Sequence, residues 1–124
     1  MAVRAVVVTA PDEPAHHAVR FALWSGLMNG DSGAAFGDPS RSDRSVQVGG
    51  DFGVGGTVAI EGRNGPAMDW ETLHDLQGNQ LEITEAAVFQ VAEITAEIRP
   101  NVTAGDGDTD LTVIVTAKGD RNKV

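Results

Sequence analysis

Three acidic residues near the C-terminus have a spacing that could bind a cation. The stretch 104–112, AGDGDTDLT, places Asp106, Asp108 and Asp110 at alternate positions. Calcium loops begin in this way because the carboxylates must converge on one ion. Here Leu111 replaces the expected glycine, and Ala117 occupies the position of the bidentate glutamate. We therefore interpret the stretch as a solvated hairpin tip, with a weak cation site as the alternative.

The glycine-rich stretch 49–56, GGDFGVGG, contains at 51–53 the tripeptide DFG, which holds magnesium in protein kinases. A kinase also needs a phosphate-binding lysine and a catalytic-loop base. The only lysines are Lys118 and Lys123. The glycines lead into a strand-like run, whereas a phosphate-binding loop leads into a helix. The stretch therefore predicts a β-hairpin.

The histidines are His16, His17 and His74. A zinc site needs three or four converging ligands. Neighbouring side chains on a strand point to opposite faces, so His16 and His17 would not converge, and nothing in the sequence connects His74 to them. The chain has no cysteine, which excludes thiolate sites and disulfides. We predict three surface histidines and no metal centre.

No pattern typical of covalent catalysis occurs in the sequence. The serines cluster in a polar segment, and no nucleophile-elbow motif is present. Carboxylate pairs such as Asp69 with Glu71, or Glu82 with Glu85, are expected by chance in an acidic chain. We interpret them as parts of an exposed polar face. The sequence predicts a protein that is not an enzyme and has no cofactor.

The two tryptophans, Trp24 and Trp70, are the remaining candidate binding residues. Each lies in a strand-like run, and we predict that both fill the hydrophobic core, with Trp70 closing one end of it. The alternative is that an exposed tryptophan stacks against a sugar ring.

Composition limits the class of protein. The 124 residues suit a single domain, 1–124. There are 18 acidic and 9 basic residues, a net charge of −9, which disfavours binding to nucleic acid. The apolar start, MAVRAVVVTAPDEP, is shorter than the about 20 residues of a membrane span and lacks the pattern of a secretory signal. We expect a soluble protein that binds no membrane.

Hydrophobic residues alternate with a period of two along most of the chain. Val58 and Ile60 alternate with polar neighbours, and so do Leu81 and Ile83. This pattern predicts an all-β, single-domain antiparallel β-sandwich of jelly-roll or immunoglobulin-like type, with about eight or nine strands. The predicted strands are 3–9, 19–24, 44–48, 57–63, 70–75, 81–84, 87–94, 96–102 and 111–117.

Some segments are less regular. Residues 83–94 have the composition of a helix that Thr84 could cap, but Phe89 and Val91 alternate, and we predict a strand. The segment 26–43 is rich in glycine, serine and aspartate, which indicates a long polar surface loop or a flexible arm. Residues 1–10 are expected to form an N-terminal arm or strand, and 118–124 a frayed tail.

Four segments taken in order resemble a known class of protein. They are LWSGLMNGDSGAAF (23–36), DRSVQVGGDFGVGGTVAIEGRNG (43–65), DWETLHDLQGNQLEIT (69–84) and EIRPNVTAGDGDTDLTVIVTAKG (97–119). Together they resemble small virion proteins of tailed bacteriophages that decorate or cement the capsid.

The resemblance implies a structural function without catalysis. It implies binding to the major capsid protein on the outer surface of the virion, as a homo-oligomer (dimer or trimer) made in the cytoplasm of the host bacterium. Edge strands and an extended arm are natural joining surfaces for such a protein. The alternative is a carbohydrate-binding or host-adhesion module of a phage tail, with Trp24 or Trp70 as the stacking residue.

Overall fold

The computed structural model describes residues 1–10 and 19–119, and within these ranges it contains β-strands and no helix. The all-β prediction is confirmed. The twelve strands are β1 Val3–Arg4, β2 Val7–Thr9, β3 Val19–Leu27, β4 Ser32–Gly33, β5 Phe36–Gly37, β6 Asp43–Asp51, β7 Thr57–Arg63, β8 Glu71–Thr72, β9 Glu82–Ile83, β10 Ala87–Gln90, β11 Glu97–Ala104 and β12 Asp110–Lys118.

The strands form two sheets. Sheet A has seven strands in the order β1-β4-β11-β7-β8, with β5 beside β11 and β9 beside β7. Sheet B has five strands in the order β10-β6-β12-β3-β2. Every pairing is antiparallel except that of β1 with β4, which is parallel. The predicted strand 3–9 is therefore two strands, one in each sheet.

The core lies between the two sheets and consists of inward side chains at alternate positions. Residues Val46 and Val48 of β6 and Val113 and Val115 of β12 are fully buried, while their neighbours in the chain are more exposed. Burying an aliphatic side chain contributes about 1.5–3 kcal/mol, which is why this alternation directs the fold. The buried hydrophobic residues from sheet A include Val58, Ile60, Ile98 and Val102.

A buried arginine joins β6 to two loops. Arg44 is 1% exposed, and its guanidinium donates to three backbone carbonyls, those of Asp38 and Thr95 at 2.7 Å and that of Arg41 at 3.0 Å. Burial lowers the pKa of the Arg44 guanidinium, and the charge of Asp38 offsets part of that effect. Because the donors are satisfied by carbonyls, the cation is tolerated inside the protein.

The two predicted hairpins are wrong. The glycine-rich stretch 49–56 connects β6 of sheet B to β7 of sheet A, and 104–112 connects β11 of sheet A to β12 of sheet B. Both stretches do turn the chain, as their glycines indicated. However, the strands on either side belong to different sheets and do not pair, so each stretch is a crossover between the layers.

The segment 26–43 is also different from the prediction of a long surface loop or flexible arm. It contains β4 and β5, which both pair with β11 in sheet A. Trp24 of β3 donates from Nε1 to the carbonyl of Ala34 at 2.9 Å, and Phe36 is buried. A side chain at Gly33 would lie 2.5 Å from Cδ1 of Trp24, so only glycine fits there. The segment is thus part of the sandwich.

The N-terminal residues form one strand of each sheet, β1 in sheet A and β2 in sheet B. Asp31, 3% exposed, accepts hydrogen bonds from the backbone amide of Ala2 at 2.9 Å, from Nε of Arg4 at 2.8 Å and from the amide of Met28 at 3.0 Å. Burial raises the pKa of Asp31, but these donors outweigh it and hold the pKa below the ordinary value. The N-terminus is therefore fastened to the turn before β4.

Candidate functional site

The outer face of sheet B is the candidate interaction surface. The strand register aligns one row of outward residues across all five strands: Val88, Gln47, Ile114, Leu23 and Val7. A second row beside it consists of Gln90, Ser45, Thr116, Phe21 and Thr9. None of these side chains is charged. We call these two rows the uncharged face.

Among the described residues of these five strands, the outward charged side chains lie where the strands end. In the strand register, Lys118 lies opposite Asp43 at one end, and Asp110 lies opposite Asp51 at the other. In a chain with a net charge of −9, such a separation of charge is a distinctive feature. With strands about 4.8 Å apart, five strands make a surface about 19 Å wide.

The apolar residues of the uncharged face are accessible to solvent. Val88 is 60% exposed, Val7 54% and Ile114 37%. Beside Ile114 and Gln47 there is a shallow depression of about 250 Å³, whose floor contains Gly49 and Gly50. Exposed apolar patches on otherwise polar proteins are typical of surfaces that bind other macromolecules.

The outer face of sheet A has the opposite character. Glu97 pairs with Arg63 at 2.8 Å, and Glu61 pairs with Arg99 at 3.0 Å, in each case between β7 and β11. Asn101 of β11 donates to the same Glu61 at 3.3 Å. This face is a network of satisfied charges, and desolvating it would be unfavourable.

Trp70 lies on sheet A and does not close the end of the core as predicted. It is half-buried, and the guanidinium carbons of Arg63 and Arg99 lie 4.2 Å and 4.4 Å from its ring centroid. These are cation–π distances. The core prediction is correct for Trp24, which is 0% exposed. For the same reason Trp24 cannot stack against a sugar, which leaves Trp70 as the one tryptophan accessible to a ligand.

A groove that the sequence did not reveal lies next to Trp70. It has a volume of about 490 Å³, and its lining includes Arg63, Asp69, Glu71, His74 and Glu93. It contains the carboxylate pair Asp69 and Glu71, whereas Glu82 and Glu85 are exposed elsewhere.

His74 and Glu93 form a hydrogen bond in this groove, between Nδ1 of the ring and Oε2 of the carboxylate. The backbone amide of His74 also donates to Oε1 of Glu93 at 2.7 Å. Burial raises the pKa of Glu93, but these bonds from His74 outweigh it and lower the pKa overall. His74 is at the surface, as predicted. The two residues are 19 positions apart, so no local motif could have indicated the pair.

The three aspartates of 104–112 are not grouped as a metal site of three or more ligands would require. Asp106 uses Oδ2 to accept from the amide of Val54 at 2.9 Å and Oδ1 to accept from the amide of Asp108 at 2.9 Å. The bond from Val54, followed by that from Asp108, lowers the pKa of Asp106. Among the residues that the structure describes, no group of three or more histidines, cysteines or carboxylates could hold a metal ion. His16 and His17 lie outside those residues.

Asp106 instead joins the two crossovers. Thr109, 1% exposed, donates from Oγ1 to the carbonyl of Phe52 at 2.9 Å, next to the bond between Asp106 and Val54. Gly53 is needed at this junction because its φ is +62° and a side chain there would lie 2.1 Å from Oδ1 of Asp106. The two stretches that resembled a kinase loop and a calcium loop thus pack against each other as a structural junction.

Within residues 1–10 and 19–119, there is no helix that is both long enough and apolar enough to cross a membrane.

Comparison with known proteins identifies similar folds among solved structures. No family model matches the sequence, and no curated protein matches it. Among solved structures, the SPBc2 prophage-derived protein YomS is similar, with a TM-score of 0.60 and 9% sequence identity. The match covers 80% of this chain and 93% of that one. At this identity the similarity shows a shared fold.

Proposed function

We propose that this chain is a structural virion protein of a tailed bacteriophage, which binds the outer surface of the capsid and stabilises the shell. The observation that carries the proposal is the uncharged face of sheet B, five strands wide and with Val7, Val88 and Ile114 exposed to solvent. The role is one of adhesion, and the proposal assigns no catalysis and no cofactor to the chain.

The physical basis is burial of apolar surface against the major capsid protein. Removing apolar area from water contributes roughly 25 cal/mol per Å². No charge has to be desolvated in the two central rows of the face, since their polar members are neutral serine, threonine and glutamine side chains. A shell presents many identical sites, so modest contacts repeated over its surface add up to a substantial stabilisation.

Two further observations support the proposal. The four segments, in their order along the chain, resemble those of capsid decoration proteins. YomS, whose fold is similar, is described as a prophage-derived protein. The charge of −9 suits a subunit that must stay soluble at high concentration before it docks.

The test is to mix the purified protein with undecorated capsids and image them by electron microscopy. We expect regular density on the outer surface at symmetry axes. Val88→Glu should weaken binding by roughly a hundredfold, because it buries an unpaired charge at a cost of about 3 kcal/mol. Val54→Glu is the matched control, since Val54 is 81% exposed in a crossover away from the face. Absence of density, density on the tail alone, or equal binding by both variants would contradict the proposal.

A second candidate function is glycan binding by a tail-borne adhesion module. It is favoured by the position of Trp70, half-buried beside a groove lined with polar groups. Glycan stacking on Trp70 would change its fluorescence, and Trp70→Phe would remove that signal while keeping an aromatic ring. We expect no change on adding host surface glycans, because Arg63 and Arg99 already contact the ring.

A further inference from the structure

The two flanks of the sandwich differ in charge. On one flank, β1 and β2 lie at the edges of sheets A and B, and residues 1–9 include Arg4 and no acidic residue. On the other flank, β8 and β10 are the edge strands. Asp69 and Glu71 lie at β8, and Glu85 and Glu93 lie just before and after β10. Among the described residues, the first flank has the fewer carboxylates, so another acidic molecule would meet less repulsion there.

The edge strand β2 has the properties of a pairing surface. It pairs with β3 on one side, and no other strand among the described residues pairs with it. Val7 and Val8 are 54% and 47% exposed. Proteins usually protect such edges with charges or prolines, because an apolar edge invites another strand. The opposite edge of sheet B is protected in this way, since Glu85 precedes β10 and Asp43 accepts a hydrogen bond from Gln90.

The first flank is also held in place before any partner binds. The carboxylate of Asp31 accepts hydrogen bonds from Ala2 and Arg4. The parallel pairing of β1 with β4 also holds this part of the chain in place. A strand that is already ordered loses little conformational entropy when it pairs, which favours association. Met1, Val3 and Met28 are exposed on the same flank and enlarge its apolar area.

We propose that β2 pairs in an antiparallel manner with β2 of a second copy of this chain, around a twofold axis close to Val8. The middle residue of β2 is Val8, so the twofold axis places the two Val8 side chains opposite each other. A second copy fits this edge because the apolar strand is complementary to itself across a twofold axis, and residues 1–10 include no carboxylate.

The dimer would extend sheet B into a continuous ten-stranded sheet, twice the five strands of one copy. Val7, at the end of the first row of the uncharged face, lies next to this junction. The uncharged faces of both copies would therefore lie side by side. Dimerisation does not depend on binding to a capsid, and it is measured with the purified protein alone.

The test uses sedimentation velocity on the full chain. We expect the wild-type protein at micromolar concentration to have twice the 12.9 kDa mass of one chain. Val8→Glu and Val8→Lys should each raise the dissociation constant at least tenfold, because like charges then face each other across the axis. An equimolar mixture of the two variants should restore the dimer, and native mass spectrometry should show mixed dimers above the statistical share. Val54→Glu is the control and should remain dimeric.

Circular dichroism shows whether each variant is folded, and Val8 tolerates substitution because about half of it is exposed. A monomeric or trimeric wild-type protein would overturn the proposal. So would dimers that persist unchanged in both Val8 variants, or folded variants whose mixture stays monomeric. Failure to bind capsids would leave these results unaffected, so the two proposals can be told apart.

Discussion

Arg4 donates from Nε to Oδ2 of Asp31 at 2.8 Å, and this contact joins the first strand of the protein to the turn that precedes β4. The carboxylate of Asp31 is buried, while the side chain of Arg4 is partly exposed. The backbone amides of Ala2 and Met28 also donate hydrogen bonds to this carboxylate. One acidic side chain therefore reinforces the backbone pairing of β1 with β4 in holding the first strand.

We expect Asp31→Asn to destabilise the protein by about 2 kcal/mol, because hydrogen bonds to a buried charged group are worth about 1.5–3 kcal/mol. Urea unfolding measures the loss, and hydrogen exchange should show reduced protection of the amides of β1. Asp69→Asn is the control, since Asp69 is exposed, and should change stability by less than about 0.5 kcal/mol. Equal effects of the two substitutions would mean that the buried contact is not stabilising.

Stability should decrease in acid. The pKa values of Asp31, Glu93 and Asp106 are all lowered in the folded protein. A lowered pKa stabilises the fold above the ordinary values of 3.8 for aspartate and 4.5 for glutamate, and this contribution is lost as pH falls through the folded-state pKa. The free energy of unfolding, measured between pH 6 and pH 2 (about the range of carboxyl titration), should fall less steeply for Asp31→Asn. Parallel curves for variant and wild type would contradict this assignment.

Gly33→Ala should be strongly destabilising. The added methyl group would lie 2.5 Å from Cδ1 of Trp24 and 2.7 Å from Cδ of Pro100, both in the core. Overpacking of this kind typically costs about 1–3 kcal/mol. Thermal unfolding followed by tryptophan fluorescence provides the measurement. Gly65→Ala is the matched control, because no atom lies within 4 Å of the added methyl group. This variant should have the melting temperature of the wild-type protein.

Thr109→Val tests the junction between the crossovers. The substitution keeps the shape of the side chain but removes the hydroxyl that donates to Phe52 and accepts from the amide of Asp106 at 3.0 Å. Leaving these buried groups unpaired should lower the free energy of unfolding by about 1–3 kcal/mol. Thr112→Val, at an outward position of β12, is the comparison, and chemical denaturation should show little change there.

Calcium should not stabilise the protein. A bound ion would raise the melting temperature by mass action. The oxygens of Asp106 already accept from the amides of Val54 and Asp108, so we expect equal melting temperatures with millimolar calcium and with a chelator. An increase with calcium that disappears in Asp108→Asn would restore the cation-site interpretation of 104–112.

The alternation of hydrophobic residues was enough to predict strands and an all-β fold. Within β12, Val113 and Val115 are buried and Ile114 is exposed, as the period of two requires. This pattern indicates which face of the sheet a side chain lies on, but it does not indicate which strand is the neighbour in that sheet. The pattern therefore cannot show that the strands flanking 49–56 and 104–112 belong to different sheets, and the prediction of two hairpins is wrong.

The candidate surface could not be predicted because it depends on strand order. Val7, Leu23, Val88 and Ile114 are distant in the sequence, and only the register places them in one row. The segment 26–43 has the composition of a loop. What orders it is a set of distant contacts, such as those of Asp31 with Ala2 and of Gly33 with Trp24.

The central positions of β11 and β12 have a consequence for biosynthesis. In sheet A, β11 lies between β4 and β7, and in sheet B, β12 lies between β6 and β3. Both strands come from residues 97–118, after all the others. A nascent chain on the ribosome therefore cannot close either layer until these residues have emerged, although β2 with β3 and β6 with β10 can pair earlier.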